Sequence, residues 1–154
     1  MPAIDLAWRL LIATGLGAAI GIEREIRRKP AGLRTNILIA LGSALFMVLS
    51  IEIGGGGSTP DRIAAQVVTG MGFLGGGAIL RSGRVVHGMT TAATIWVNAA
   101  IGMAAGAGQF ALATAATAIT LVVLALLPPV ESYFDARAGS FQRRATDRDS
   151  HDHL

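Results

Sequence analysis

The feature that most constrains the fold is an uncharged stretch, Ile63 to Leu80, held between Arg62 and Arg81. It has 18 residues, and as a helix it spans about 27 Å at ~1.5 Å per residue, close to the hydrocarbon thickness of a bilayer. Five of its residues are glycines: Gly70, Gly72, Gly75, Gly76 and Gly77. In a water-soluble helix each costs roughly 1 kcal/mol relative to alanine. Between membrane helices the missing side chains let backbones approach closely. The stretch is therefore expected to be the central, tightly packed helix of a small membrane bundle. Gly70-x-Gly72-x-x-Gly75 also fits the dinucleotide pattern, but that fingerprint needs a preceding strand and an acid about 20 residues on. No Asp or Glu lies between Asp61 and Glu131, so helix packing is the reading kept.

Composition agrees. Only 15% of the 154 residues are charged and 52% are hydrophobic, where a soluble domain carries about 25% charged residues. There is no cysteine, which excludes disulfides, thiol nucleophiles and cysteine metal sites. The formal charge of +3 does not point to nucleic acid, because the arginines sit in short loops between apolar runs. The first apolar run is not expected to be a cleaved signal peptide: Asp5 lies near its start, and no small-residue cleavage site precedes EREIRRK.

Taken in order, the chain predicts five helices. The first runs from Leu6 through Ile22 and on to Lys29, with Asp5 facing Arg9, Glu23 facing Arg27 and Glu25 facing Lys29 at four-residue spacing. Arg9 is expected to snorkel outward, with a charged gate as the sharper reading; Gly17 and Gly21 offer a close-contact face. Pro30 ends this helix, Ala31-Gly32 turns the chain, and Thr35 or Asn36 caps the second helix, Ile37 to Ile51. Gly54 to Ser58 forms a flexible loop; Thr59 and Pro60 then start the central helix. Arg81 to Gly88 reads as a short polar turn. Thr90 or Thr91 caps a fourth helix, Thr91 to Ala105, and a fifth runs from Phe110 to Leu127 before Pro128-Pro129. The division is residues 1–129 as a transmembrane domain and 130–154 as a tail, a short interfacial helix followed by disorder. His151 and His153 in that tail are read as a floppy polar end.

With five crossings, 11 of the 13 basic residues fall on one side, and the positive-inside rule makes that side cytoplasmic. The expected architecture is an all-α integral membrane bundle of five helices, N-terminus outside and C-terminus cytoplasmic. Gln66, Thr69, Thr90, Thr94 and Asn98 are expected to point inward and bond across helices, or to line a path for a cation. No nucleophile–base pair is visible, so no enzyme, catalytic residue or cofactor is expected. No metal site is expected either, since the spans carry no acid and Glu23 and Glu25 lie about 200° apart on a helix.

Three blocks carry a resemblance: EREIRRKPAGLRT, RIAAQVVTGMGFLGGGAIL and VHGMTTAATIWVNAAIGMAAG. In that order and at those gaps the chain resembles the MgtC/SapB family of membrane proteins over roughly residues 6 to 127. The resemblance implies an inner-membrane protein of low-magnesium adaptation, linked in pathogens to survival inside macrophages. It implies a regulator, with the F-type ATP synthase as one proposed partner and a magnesium-transporter label by association. Its motif falls on Glu23, Arg24, Glu25, Lys29, Gly32, Arg34 and Thr35, an expected interaction surface on the inner loop. It continues on Arg62, Gln66, Gly70, Gly72, Phe73, Gly75, Gly77, Gly88, Thr90, Thr91 and Trp96, expected with Asn98 to form the packing surface and polar core. Larger members continue into a cytoplasmic domain; 25 residues follow Pro129 here, and no role resting on that domain is expected. Two functions stand: a regulator that associates, as a homo-oligomer or with another membrane protein, through glycine faces, or a transporter or channel for Mg2+ or another cation.

Overall fold

A computed structural model describes residues 2–54, 61–82 and 85–129. Among the described residues there are five helices: α1 (Ala3–Ile26), α2 (Leu33–Gly54), α3 (Asp61–Gly77), α4 (Met89–Gly106) and α5 (Phe110–Pro129). Residues 2–121 form one compact unit, and Val122 to Pro129 continue α5 beyond it. Among the described residues three helices, α1, α2 and α5, are long and apolar enough to cross a membrane. The expected start signal at Thr59-Pro60, the glycine loop from Gly55 and the tail from Val130 lie outside the described residues.

Burial is inverted relative to a water-soluble domain. Small and polar side chains fill the inside: Ala13, Ala40, Ala44, Ala99 and Ala105, with Asn36, Ser43, Thr94 and Asn98 among them. Large apolar side chains face out, such as Phe73 at 83% exposure, Leu38 at 66% and Trp96 at 50%. An exterior of this kind needs an apolar surrounding, while small buried residues let helix backbones meet.

The centre of the bundle is α2, not α3 as the glycine-rich stretch suggests. On one side α1 crosses it antiparallel: a Cβ at Gly17 would meet Ala40 Cβ at 2.7 Å and the Asn36 carbonyl oxygen at 2.8 Å, and one at Gly21 would meet Leu33 Cα at 2.8 Å. On the other side α4 runs parallel to α2 in a regular register. Asn98 meets Asn36, Gly102 meets the backbone of Ala40, and Gly106 meets the backbone of Ala44. Both helices advance by four residues per step, so one face of each stays in contact over two turns. By contrast, a Cβ at Gly70, Gly72, Gly76 or Gly77 would meet nothing within 4 Å among the described residues; of the α3 glycines Gly75 approaches a neighbour, Ala92, at ordinary van der Waals distance.

The turns follow specific capping chemistry. α1 stops at Ile26, three residues before the expected Lys29, because Arg28 adopts a left-handed φ of 53°. The Arg28 amide then donates to the Glu25 carbonyl and the Lys29 amide to the Arg24 carbonyl, both at 2.9 Å, the paired bonds of a Schellman motif. α4 ends the same way at Gly108, with φ 79°. Its start differs from expectation: Gly88 occupies the N-cap position with φ 89°, and no side chain caps the helix. The expected polar turn after α3 is a small antiparallel hairpin, β1 (Leu80–Ser82) with β2 (Val85–His87), pairing Leu80 with His87 and Ser82 with Val85.

Candidate functional site

The inner loop and the start of α4 come together at one end of the bundle. Glu23 is half-buried and pairs with Arg27, Nε to Oε1 at 2.6 Å. Arg24 points inward and is 2% exposed; its Nη1 lies 3.7 Å from Glu23 Oε2. Glu25 does not pair with Lys29. Its Oε2 instead accepts from the Leu33 amide at 3.0 Å, satisfying an orphan donor at the start of α2 and placing a negative charge at its positive end. Gly32 packs directly against that carboxylate, so any side chain there would push Glu25 off the helix start. Lys29, Arg34 and Thr35 are exposed around this turn.

Asn36, expected as a cap, is instead the junction of three segments. It is fully buried. Its Nδ2 donates to the Ala31 carbonyl at 2.7 Å and the Gly32 carbonyl at 2.9 Å, tying the turn to α2. Asn98 Nδ2 donates across from α4 to the Asn36 main-chain oxygen at 2.7 Å and to Asn36 Oδ1 at 3.1 Å. Of the expected inward-facing row on α4, Asn98 makes the interhelical bonds. Thr94 is buried but donates to Thr90 O of its own helix at 2.7 Å. Thr91 is buried, while Thr90 and Trp96 are exposed.

Arg62 and Gln66 lie elsewhere. Both are exposed, and they line an open groove with Ser50, Ile53 and Gly54 between the end of α2 and the start of α3. Gln66 and Thr69 are exposed and do not point into the bundle as expected; Thr69 donates to the Ala65 carbonyl of its own helix. At the start of α1, Arg9 does not snorkel outward. Nε donates to Asp5 Oδ2 at 3.1 Å and Nη1 donates to the Gly106 carbonyl at 2.9 Å. The guanidinium covers the last turn of α4, where a cation complements the helix dipole. Among the described residues no three His, Cys, Asp or Glu side chains gather as a metal site.

Sequence reasoning missed the burial of Arg24, the junction role of Asn36 and the contacts of Gly102 and Gly106. Spacing holds the signal for each. Gly17, Ile20, Gly21 and Arg24 fall at helical intervals on one face, and all four are buried. Asn98, Gly102 and Gly106 repeat every four residues, the small-residue spacing of close helix pairs.

A buried polar junction beneath a basic loop, on a bundle with small residues inside and large apolar ones outside, is the design of a membrane-embedded helical protein. The chain belongs to the MgtC family, whose model matches residues 10–133. It is 47% identical over 130 residues to Protein MgtC of Brucella abortus, covering 82% of this chain and 54% of that protein. It is 52% identical over 118 residues to Protein MgtC of Salmonella typhimurium, covering 77% and 50% respectively. It is 50% identical over 123 residues to the putative magnesium transporter YhiD of Escherichia coli, covering 75% and 57%. The chain thus spans about half the length of these curated relatives. No solved structure matches it.

Proposed function

We propose that this chain is a non-enzymatic, multi-pass regulator of the bacterial inner membrane, linked to adaptation to low magnesium, that acts by helix–helix association. Five crossings, with the N-terminus outside and the basic loop cytoplasmic, fit the alternation of an antiparallel α1–α2 pair with a parallel α2–α4 pair. Residues 1–129 form the membrane domain and 130–154 the cytoplasmic tail. The carrying observation is the outer face of α3. Among the described residues a Cβ at Gly70, Gly72, Gly76 or Gly77 meets no neighbour within 4 Å, and Phe73 between them is exposed. A glycine-rich face left open by its own chain suits a second helix, from another copy or from a membrane partner such as the F-type ATP synthase. The exposed Arg34 and Thr35 flank the same groove that Phe73 and Gly77 line, ≈ 770 Å³ in volume.

This reading makes Gly72→Leu a clean test, because the site has room within the chain. The variant accumulates normally, yet its association falls about tenfold, the loss of one well-packed membrane contact. The chain has no cysteine, so a crosslinker attached at Phe73→Cys reports the neighbour of α3 in native membranes. Undiminished crosslinking after Gly72→Leu refutes the reading.

A cation transporter, with Mg2+ as its substrate, is the second reading. It draws on the name of the E. coli relative and on the groove that Ser50, Arg62 and Gln66 line. Liposomes loaded with a magnesium dye decide it: flux no greater than through empty liposomes rules it out.

A further inference from the structure

We propose that the cavity between Arg24 and the start of α4 binds a phosphate oxyanion, carried by an anionic lipid headgroup or by free inorganic phosphate. Two independent features converge there. The first is Arg24, almost completely buried, whose Nε and Nη2 make no hydrogen bond among the described residues. Glu23 stands 3.7 Å from its Nη1 without a hydrogen bond to it and lies closer to Arg27, whose like charge also acts on Arg24. A buried guanidinium with open donors is costly unless an acceptor fills them, and a tetrahedral oxyanion does so with bidentate geometry. The second is the start of α4. This helix of 18 residues has glycine at its N-cap and no capping side chain, so its first amides and the positive end of its dipole are open to an anion. A Cβ at Gly88 would collide with the Ala78 carbonyl, so the backbone here is held close where a side chain has no room.

The space between them is a cavity of ≈ 450 Å³ lined by Arg24, Arg28, Lys29, His87, Thr90 and Thr91, and among the described residues no carboxylate lines it. Arg28 adds its charge from a left-handed backbone position, φ 53°, where glycine is the usual residue. That gives a second test variant: Arg28→Gly removes a charge while relieving the backbone, so a loss of binding is not a loss of folding.

The experiment uses the full chain in phosphatidylcholine nanodiscs. One arm measures saturable binding of radiolabelled inorganic phosphate. The other uses discs containing phosphatidylglycerol and counts the anionic lipid retained per chain by native mass spectrometry. Binding in the first arm assigns the site to free phosphate, and selective retention in the second assigns it to a headgroup. Either signal falls about tenfold in Arg24→Gln and about threefold in Arg28→Gly. Should Arg24→Gln not fold, Arg28→Gly decides. No binding in either arm, or wild-type binding in the folded variants, overturns the proposal. The outcome is independent of association through α3, which lipid or phosphate at this end leaves unchanged.

Discussion

Gly102→Leu is expected to prevent the bundle from accumulating as a folded protein. A Cβ at Gly102 would press on the carbonyl oxygen of Ala40 and stand 2.9 Å from its Cα and 3.0 Å from its carbonyl carbon. All three atoms are α2 backbone, so no rotamer change relieves the clash and the helices must part. Parting them also breaks the Asn98–Asn36 bonds one turn away and the Gly106–Ala44 contact on the other side. Overpacking alone costs about 1–3 kcal/mol, and the coupled losses add to it. Gly42→Leu is the control. It lies on α2 itself, where a Cβ meets nothing within 4 Å among the described residues, and the groove it lines beside α3 has room for the added side chain. Size-exclusion profiles and thermal midpoints in mild detergent separate the two; equal behaviour of both variants would mean that α2 and α4 do not pack as described.

The contrast with Gly72 explains what the chain reveals when read alone. The apolar runs mark all five helices, because length and hydropathy are local properties. Which glycines serve as contacts is not local. Gly17 with Gly21, the α3 glycines, and Gly102 with Gly106 carry similar spacings, and only the shape of a partner decides which are filled. The stretch richest in glycine is the one its own chain leaves open. Arg24 shows the opposite error. Within EREIRRK it reads as one more solvated charge, yet its helical phase places it beneath Gly17 and Gly21, and phase outweighs composition. Glu25 and Asn36 escaped a correct reading because each has a local role available, an ion pair with Lys29 or a cap. Tertiary contacts took both: Glu25 reaches the Leu33 amide and Asn36 the carbonyls of the turn. The hairpin lay hidden between two long apolar runs, where three-residue strands carry almost no periodicity.

Asn36→Leu is expected to be the most damaging change among the polar core residues. The side chain is close in size, so the effect isolates hydrogen bonding. Asn36 Nδ2 ceases to donate to the Ala31 and Gly32 carbonyls, and Asn98 loses Oδ1 as an acceptor while keeping the Asn36 main-chain oxygen. Hydrogen bonds between membrane helices average about 0.6 kcal/mol and reach about 1.7, so three lost bonds predict about 2 kcal/mol. Asn98→Leu removes two donations and should cost about 1 kcal/mol by the same reasoning. The shared bond between the two side chains makes their effects less than additive in a double-mutant cycle. Ser43→Ala supplies the opposite case. Ser43 is as buried as Asn36, but its hydroxyl makes no hydrogen bond among the described residues, and removing an unpaired buried group is neutral or stabilising. Hydrogen exchange adds a spatial check, because loss of Asn36 frees the turn that presents Leu33 to Glu25, and the Leu33 amide should exchange faster in Asn36→Leu but not in Asn98→Leu. If Asn36→Leu proves no less stable than Ser43→Ala, the turn, α2 and α4 are not joined through this side chain, and the basic loop must be positioned by its ion pairs alone.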